Sequence, residues 1–216
     1  MRLFTAIDIS AEVRENLRAF VARLKPLAKL TWSPVENLHI TTKFIGEWPE
    51  KRLDEMKHAL AKVCAGGAIE ISIQGIGWFP DQLRPRVFWA GVEASDALRS
   101  LAAATDTATT ALGVPREYRS YSPHLTLARV REPIRLEKLQ DAVKGMERGS
   151  LDPRFVDRDA AGSASGSASP ADAGASARDR GPAFQFGTFR ATAFFLYLSA
   201  GRRYTKLSEF PLCLGS

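Results

Sequence analysis

Two tetrads in this chain carry the same residue types in the same order: His39-Ile40-Thr41-Thr42 and His124-Leu125-Thr126-Leu127, at an offset of 85 positions. The chain has three histidines, and the tetrads use two of them. An imidazole can hold or take a proton near neutral pH, so a pair can act as base and acid in one turnover. A threonine hydroxyl can donate a hydrogen bond to a nonbridging phosphate oxygen. Along a strand, alternate side chains share a face, which puts each histidine beside its threonine. Two such strands brought close would aim two imidazoles and two hydroxyls at one phosphate. No carboxylate accompanies either tetrad, and a metal would need a third and fourth ligand. The expectation is acid–base chemistry without metal or cofactor.

The elements that must position these residues can be read from apolar spacing. Leu3 to Ile9 reads as a buried strand, and Ser10 caps a helix whose Val13, Leu17, Phe20, Val21 and Leu24 fall on one face. Short strand signals follow at Leu30–Trp32, then Leu38–Ile45 with the first tetrad. Lys51 to Val63 has helical spacing. Ile69, Ile71 and Ile73 alternate with polar residues and define a half-buried strand, and Val87–Val92 is the next. Leu98 to Leu112 reads as a helix ended by Gly113. The strand from His124 to Val130 bears the second tetrad, and Leu136 to Met146 is again helical. Phe184–Phe189, Ala193–Ser199 and Tyr204–Phe210 read as closing strands. Each half thus carries one tetrad after a helix, a weak internal duplication, and the mixed order predicts an α+β fold.

The 216 residues suit one large domain or two small ones, at 45% hydrophobic and 25% charged. A net charge of +6 points weakly toward an anionic partner such as nucleic acid or a nucleotide. Cys64 and Cys213 form no CxxC pair, so no disulfide framework or zinc site is implied, and the cytoplasm is the expected setting. Asp8 interrupts what a signal peptide would need as its apolar stretch, and no apolar run is long enough to span a membrane. Between 159 and 177, 16 of 19 residues are Ala, Ser or Gly. That composition predicts a disordered loop insert within the domain.

The chain resembles the two-histidine phosphoesterase superfamily, most closely the LigT-like RNA 2′,3′-cyclic phosphodiesterases, also called 2′-5′ RNA ligases. The matching stretches are LFTAIDIS (3–10), WSPVENLHITTKFIGE (32–47), PRVFWAGV (85–92), YSPHLTLARV (121–130) and LYLSAGRRYTKLSEFPL (196–212). They run from the first strand to the last; the Ala/Ser/Gly insert departs from the family pattern. The resemblance implies a bilobal fold, two sheets with outer helices flanking a central cleft, and one tetrad on either side. It also implies metal-free hydrolysis of an RNA 2′,3′-cyclic phosphate end to a 2′-phosphate end. In that pattern His124 is the base that activates water and His39 the acid that protonates the leaving 3′ oxygen. The residues alone leave this division open, and ligation would reverse it. Thr41 and Thr126 would hold the phosphate oxygens. Rival readings are 2′-5′ ligation, hydrolysis of small cyclic nucleotides, and a noncatalytic module that binds RNA ends. A monomer is expected.

Strict alternation places Lys43 on the face of His39 and Thr41, where it could add charge to the substrate site, and Phe44 on the buried face. An arginine at the offset of Arg129 is a candidate phosphate contact in the family, yet alternation puts it opposite His124, so a bulge or a strand end would be required. Arg84 and Arg86 could guide an RNA backbone. Phe44, Trp78, Phe79, Tyr118 and Tyr121 are the aromatics near enough to stack on a base. His58, beside Lys57 and near Glu55 and Lys62, reads as solvated helix surface. Gly75-Ile76-Gly77 lacks the spacing of a phosphate loop.

Overall fold

A computed structural model describes residues 1–64, 66–132, 134–147, 184–201 and 203–212. The insert expected at 159–177 lies outside the described residues. In chain order the elements are β1 (Arg2–Asp8), α1 (Ala11–Leu24), β2 (Thr31–Trp32), β3 (His39–Glu47), α2 (Leu53–Ala61), β4 (Ile69–Phe79), β5 (Val87–Ala94), α3 (Asp96–Thr110), β6 (His124–Arg129), α4 (Glu137–Glu147), β7 (Gln185–Ala191), β8 (Ala193–Ala200) and β9 (Arg203–Pro211). Short 3₁₀ turns cover Lys25–Leu27, Val35–Asn37 and Glu50–Arg52.

The strands form two antiparallel sheets, ordered β3-β1-β8-β9 and β2-β6-β5-β4-β7. Together with the helices they make the expected α+β fold. Each sheet has one face buried in the main core. In the first, Leu3, Ile7, Ile40, Phe194 and Leu196 join Met56 and Leu60 of α2 and Leu98 and Leu101 of α3. In the second, Ile69, Ile71, Ile73, Phe88 and Leu125 join the same core as Val13, Leu17 and Phe20 of α1. Each large apolar side chain so buried stabilises the fold by about 1.5–3 kcal/mol before entropy. The Ser10 hydroxyl caps α1 by accepting from Val13 N at 3.2 Å.

The lobes are not the two halves of the sequence. α1 follows a strand of the first sheet but packs on β7 of the second, where the Asn16 side-chain amide donates to Phe186 O at 3.0 Å. α3 follows β5 of the second sheet but packs against β3 of the first and against α2. The chain therefore crosses between lobes repeatedly, and β8 and β9 return at the end to complete the sheet that β1 began.

One strand runs further than the isoleucine alternation indicates. β4 continues from Ile73 to Phe79 through an irregularity in its pairing with β5 between Ile73 and Ile76. Gly75 supplies it with φ +69°, a conformation that a side chain would oppose. The Gly-Ile-Gly segment is thus strand, and it carries Phe79 to the edge of the cleft.

Candidate active site

The two tetrads sit on β3 and β6, which approach each other where the sheets meet. Each histidine is the first residue of its strand and is oriented in the same way. The His39 Nδ1–H donates to the carbonyl of Asn37 at 2.7 Å, and the His124 Nδ1–H to the carbonyl of Ser122 at 2.8 Å. A carbonyl oxygen can only accept, so the proton of each neutral ring belongs on Nδ1 and the Nε2 lone pair is left for chemistry. The 3₁₀ turn at Val35–Asn37 delivers one carbonyl; the Ser122-Pro123 approach to β6 delivers the other.

Each strand then has a bulge just past its threonine. Thr5 pairs with Lys43 and Ala6 with Thr41, so Thr42 is the extra residue on β3. Phe88 pairs with Ala128 and Trp89 with Thr126, so Leu127 is the extra residue on β6. A bulge resets the alternation of the strand beyond it. The freed backbone is bonded in matching fashion: Tyr121 OH donates to Thr41 O at 2.9 Å, and Ser33 Oγ donates to Thr126 O at 2.7 Å. The hydroxyls of Thr5 and Thr42 pair at 2.7 Å in the interior.

The reset alternation corrects two expectations and bears on a third. Lys43 does not lie beside His39 with its charge free: it is buried, and its ammonium binds Asp106 Oδ1 at 2.5 Å and Pro115 O at 2.7 Å. Burial pushes Asp106 up, but hydrogen bonds from Lys43 and the Glu117 N–H outweigh it and hold the carboxyl below its ordinary range. Phe44 is not buried but 65% exposed. Arg129 follows the β6 bulge, is exposed at the end of the strand and lies near enough to His39 for its charge to disfavour a proton there.

The surroundings of the two imidazoles differ. His39 is opposite Asp8 in the β1–β3 register and lies among Phe4 at 4.7 Å, Tyr204 at 5.3 Å and Tyr197 at 6.4 Å between ring centres. Burial lowers its pKa most; the Asn37 carbonyl and the Asp8 charge oppose this, and His124 and Arg129 add to it, the net being a value below the ordinary imidazole one. Asp8 is itself held by Tyr197 OH and by Lys206 Nζ at 2.9 Å, an ammonium that also sits 3.4 Å from the centre of the Phe195 ring. Burial, then the bond to Asp8, raises the Tyr197 phenol far above its usual range. Asp8, Tyr197 and Lys206 were missed in the sequence, because strand pairing, not spacing along the chain, brings them to His39.

His124 has a plainer setting. Phe79 meets its ring edge-on at 5.1 Å, and Trp89 stacks behind Phe79 at 5.0 Å. Gly77 makes this possible, since a Cβ there would fall 2.1 Å from Trp89 Cζ2. Gly91, opposite His124 in the β5–β6 register, could not carry a Cβ either, because it would sit 2.3 Å from Gln74 O.

Of the other aromatics, Trp78 stacks on Phe88 at 4.4 Å and belongs to the core. Tyr121 is committed to Thr41 O, and burial raises its phenol well above the usual range. Tyr118 is 90% exposed. His58 is on the outer surface of α2, bonded to Asp54 O at 2.6 Å. Among the described residues no group of three or more His, Cys, Asp and Glu is arranged to hold a metal, and no helix is long and apolar enough to cross a membrane.

Fold and paired tetrads together are those of the two-histidine phosphoesterase class. The chain belongs to the LigT like phosphoesterase family, whose model matches residues 7–89 and 91–155. It is 35% identical over 159 residues to the RNA 2′,3′-cyclic phosphodiesterase of Methanocaldococcus jannaschii, a match covering 72% of this chain and 88% of that one. To the protein of the same name from Thermotoga maritima it is 34% identical over 142 residues, 64% and 75% of the two chains. The crystal structure of TT0787 from Thermus thermophilus superposes with a TM-score of 0.66 at 25% identity, covering 98% of each chain. Escherichia coli LigT complexed with 3′-AMP gives 0.65 at 24% identity over 98% and 97%, a likeness of fold.

Proposed function

We propose that the chain hydrolyses the 2′,3′-cyclic phosphate at RNA ends and leaves a 2′-phosphate. The observation that carries this reading is the matched pair of imidazoles, each fixed through Nδ1 to a backbone carbonyl with Nε2 left for proton transfer. His124 takes a proton from water as its oxygen attacks phosphorus. The bond to the 3′ oxygen breaks, and His39 gives that oxygen its proton. Thr41 and Thr126 donate to the nonbridging oxygens as charge gathers on them, and Arg129 offsets that charge. Both proton transfers are supplied by side chains, so the reaction is written without a metal. RNA as substrate is supported by the names of the relatives.

The acid role of His39 sets a condition. Its proton is held weakly in the free site, and the bound phosphate anion must strengthen that hold. Lys43, paired with Asp106, is left out of the substrate contacts and serves to hold β3 against the 115–117 loop.

Product analysis tests the reading. An oligonucleotide ending in 2′,3′-cyclic phosphate should yield 2′-phosphate ends in the presence of chelator. A 3′-phosphate product, or loss of activity to the chelator, would overturn the mechanism. A substrate whose bridging 3′ atom is sulfur tests the division of roles, since that leaving group needs little protonation. His39→Ala should recover much of its loss on it and His124→Ala should not; the opposite pattern exchanges acid and base.

A further inference from the structure

A cleft of about 800 Å³ is lined by Thr41 and His124. Its lining also takes in Phe79, Pro80, Tyr121 and the Ala102–Ala103 stretch of α3. Its size falls high in the range of about 300–1,000 Å³ for ligand sites, more than one phosphate group needs. The floor is apolar, and four arginines stand on its walls: Arg86, Arg99, Arg116 and Arg119, all exposed.

Two of these four have an ion-pair partner: Arg116, and Arg99, whose Nε lies 4.0 Å from Asp96 Oδ1. The wall also holds Lys43, Asp106 and Glu117. Asp106 accepts from Lys43 at 2.5 Å and from the Glu117 N–H at 3.1 Å through Oδ1, and Arg116 Nε stands 3.9 Å from its Oδ2. The Glu117 carboxylate accepts from the Arg119 backbone N–H at 3.1 Å, not from its guanidinium. Among the described residues Arg86 and Arg119 have no ion-pair partner. Arg99 is steadied by donating to Tyr121 O at 3.1 Å, on the residue that also bonds the backbone of Thr41.

An apolar floor with exposed guanidinium groups, two of them without an ion-pair partner among the described residues, fits a flexible chain of bases and phosphates: stacking is tolerant of sequence, and arginines track the backbone. The cyclic phosphate ends the strand on its 3′ side, so the remaining RNA must leave the histidines through the 5′ oxygen. We propose that this arginine-walled cleft is the subsite for the nucleotides preceding the cyclic phosphate, with Arg116 and Arg119 pairing their phosphodiesters. The inference rests on the proposed function and extends it: the protein acts on strands in preference to mononucleotides.

Two substrates separate the subsite from the chemistry. Wild-type protein and Arg116→Gln/Arg119→Gln are compared on a nucleoside 2′,3′-cyclic phosphate and on a hexanucleotide bearing the same end. For the hexanucleotide, KM should rise at least tenfold with kcat unchanged. For the mononucleotide, both constants should stay within twofold. The slope of log affinity against log salt should lessen by about 0.7 for each phosphate that an arginine no longer neutralises. An unchanged hexanucleotide KM, or an equal loss on both substrates, overturns the subsite. Fluorescence anisotropy with the labelled hexanucleotide reads binding apart from turnover. If wild type hydrolyses neither substrate, the catalytic reading fails. In that case weaker binding by the double variant still upholds the strand subsite, and equal binding overturns it.

Discussion

β3 and β6 are near copies in geometry and opposites in electrostatics. Both begin with a histidine tied through Nδ1 to a carbonyl two residues back. Both have a bulge after the threonine, and in both a hydroxyl from elsewhere takes the threonine carbonyl. Beyond the bulge the copies part: the fifth residue after the histidine is Phe44 on one strand and Arg129 on the other, both exposed. Behind the histidines they part again. His39 is half-buried among aromatic rings with Asp8 opposite, while His124 rests against Phe79. Duplication can thus place two imidazoles alike, but the neighbours decide which gives its proton more readily.

The strongest test of the likeness is removal of either ring. His39→Ala and His124→Ala should each lower kcat on the order of 10²–10⁴-fold, and near-normal turnover by either would break the comparison. Next come the hydroxyls. Hydrogen bonds to a charged group contribute about 1.5–3 kcal/mol, so Thr41→Val and Thr126→Val should each cost roughly 10–150-fold in kcat/KM; a large effect at one alone would show that only one lobe holds the phosphate.

Gly77 tests a difference, since it supports the His124 side only. Gly77→Ala forces Trp89 to move and should destabilise by about 1–3 kcal/mol in urea titration, with reduced kcat. Gly145→Ala on α4, where a Cβ meets nothing within 4 Å, is the control and should stabilise by about 0.5–1 kcal/mol. The smallest effect sharpens the electrostatic contrast. The limb of the kcat/KM–pH profile that belongs to His39 should lie below 6.5, because burial disfavours its charged form. The Asp8 carboxylate favours that form, so Asp8→Asn should move the limb lower still. Lys206→Met, which frees Asp8 of a neutralising ammonium, should move it up. A limb indifferent to both would separate Asp8 from the histidine.

The sequence made the elements and both tetrads legible because these are local patterns: alternation, helical spacing, caps. It also showed that Arg129 needed a bulge or a strand end. It did not show that β3 has the same bulge, because two residues opposing one is a property of the partner strand's register. That single irregularity explains why Lys43 turned inward to Asp106 and Phe44 outward. The crossing of the lobes was hidden for a related reason. α1 and α3 have ordinary amphipathic faces, and nothing in such a face names the sheet it will cover. Nothing in the Gly-Ile-Gly segment told that Trp89 occupies the space which the missing side chain of Gly77 leaves.

The return of β8 and β9 to the sheet begun by β1 bears on the order in which the protein is made. Leu3 pairs with Leu198, and Asp8 is held by Tyr197 and Lys206. Contacts so distant in sequence close late and slow folding. During synthesis, at about 5–20 residues per second, β3 emerges well before Tyr197 and Tyr204 can complete the rings around His39 and before Tyr197 and Lys206 can hold Asp8. Of the two tetrad histidines, the one made first is the one whose surroundings close last.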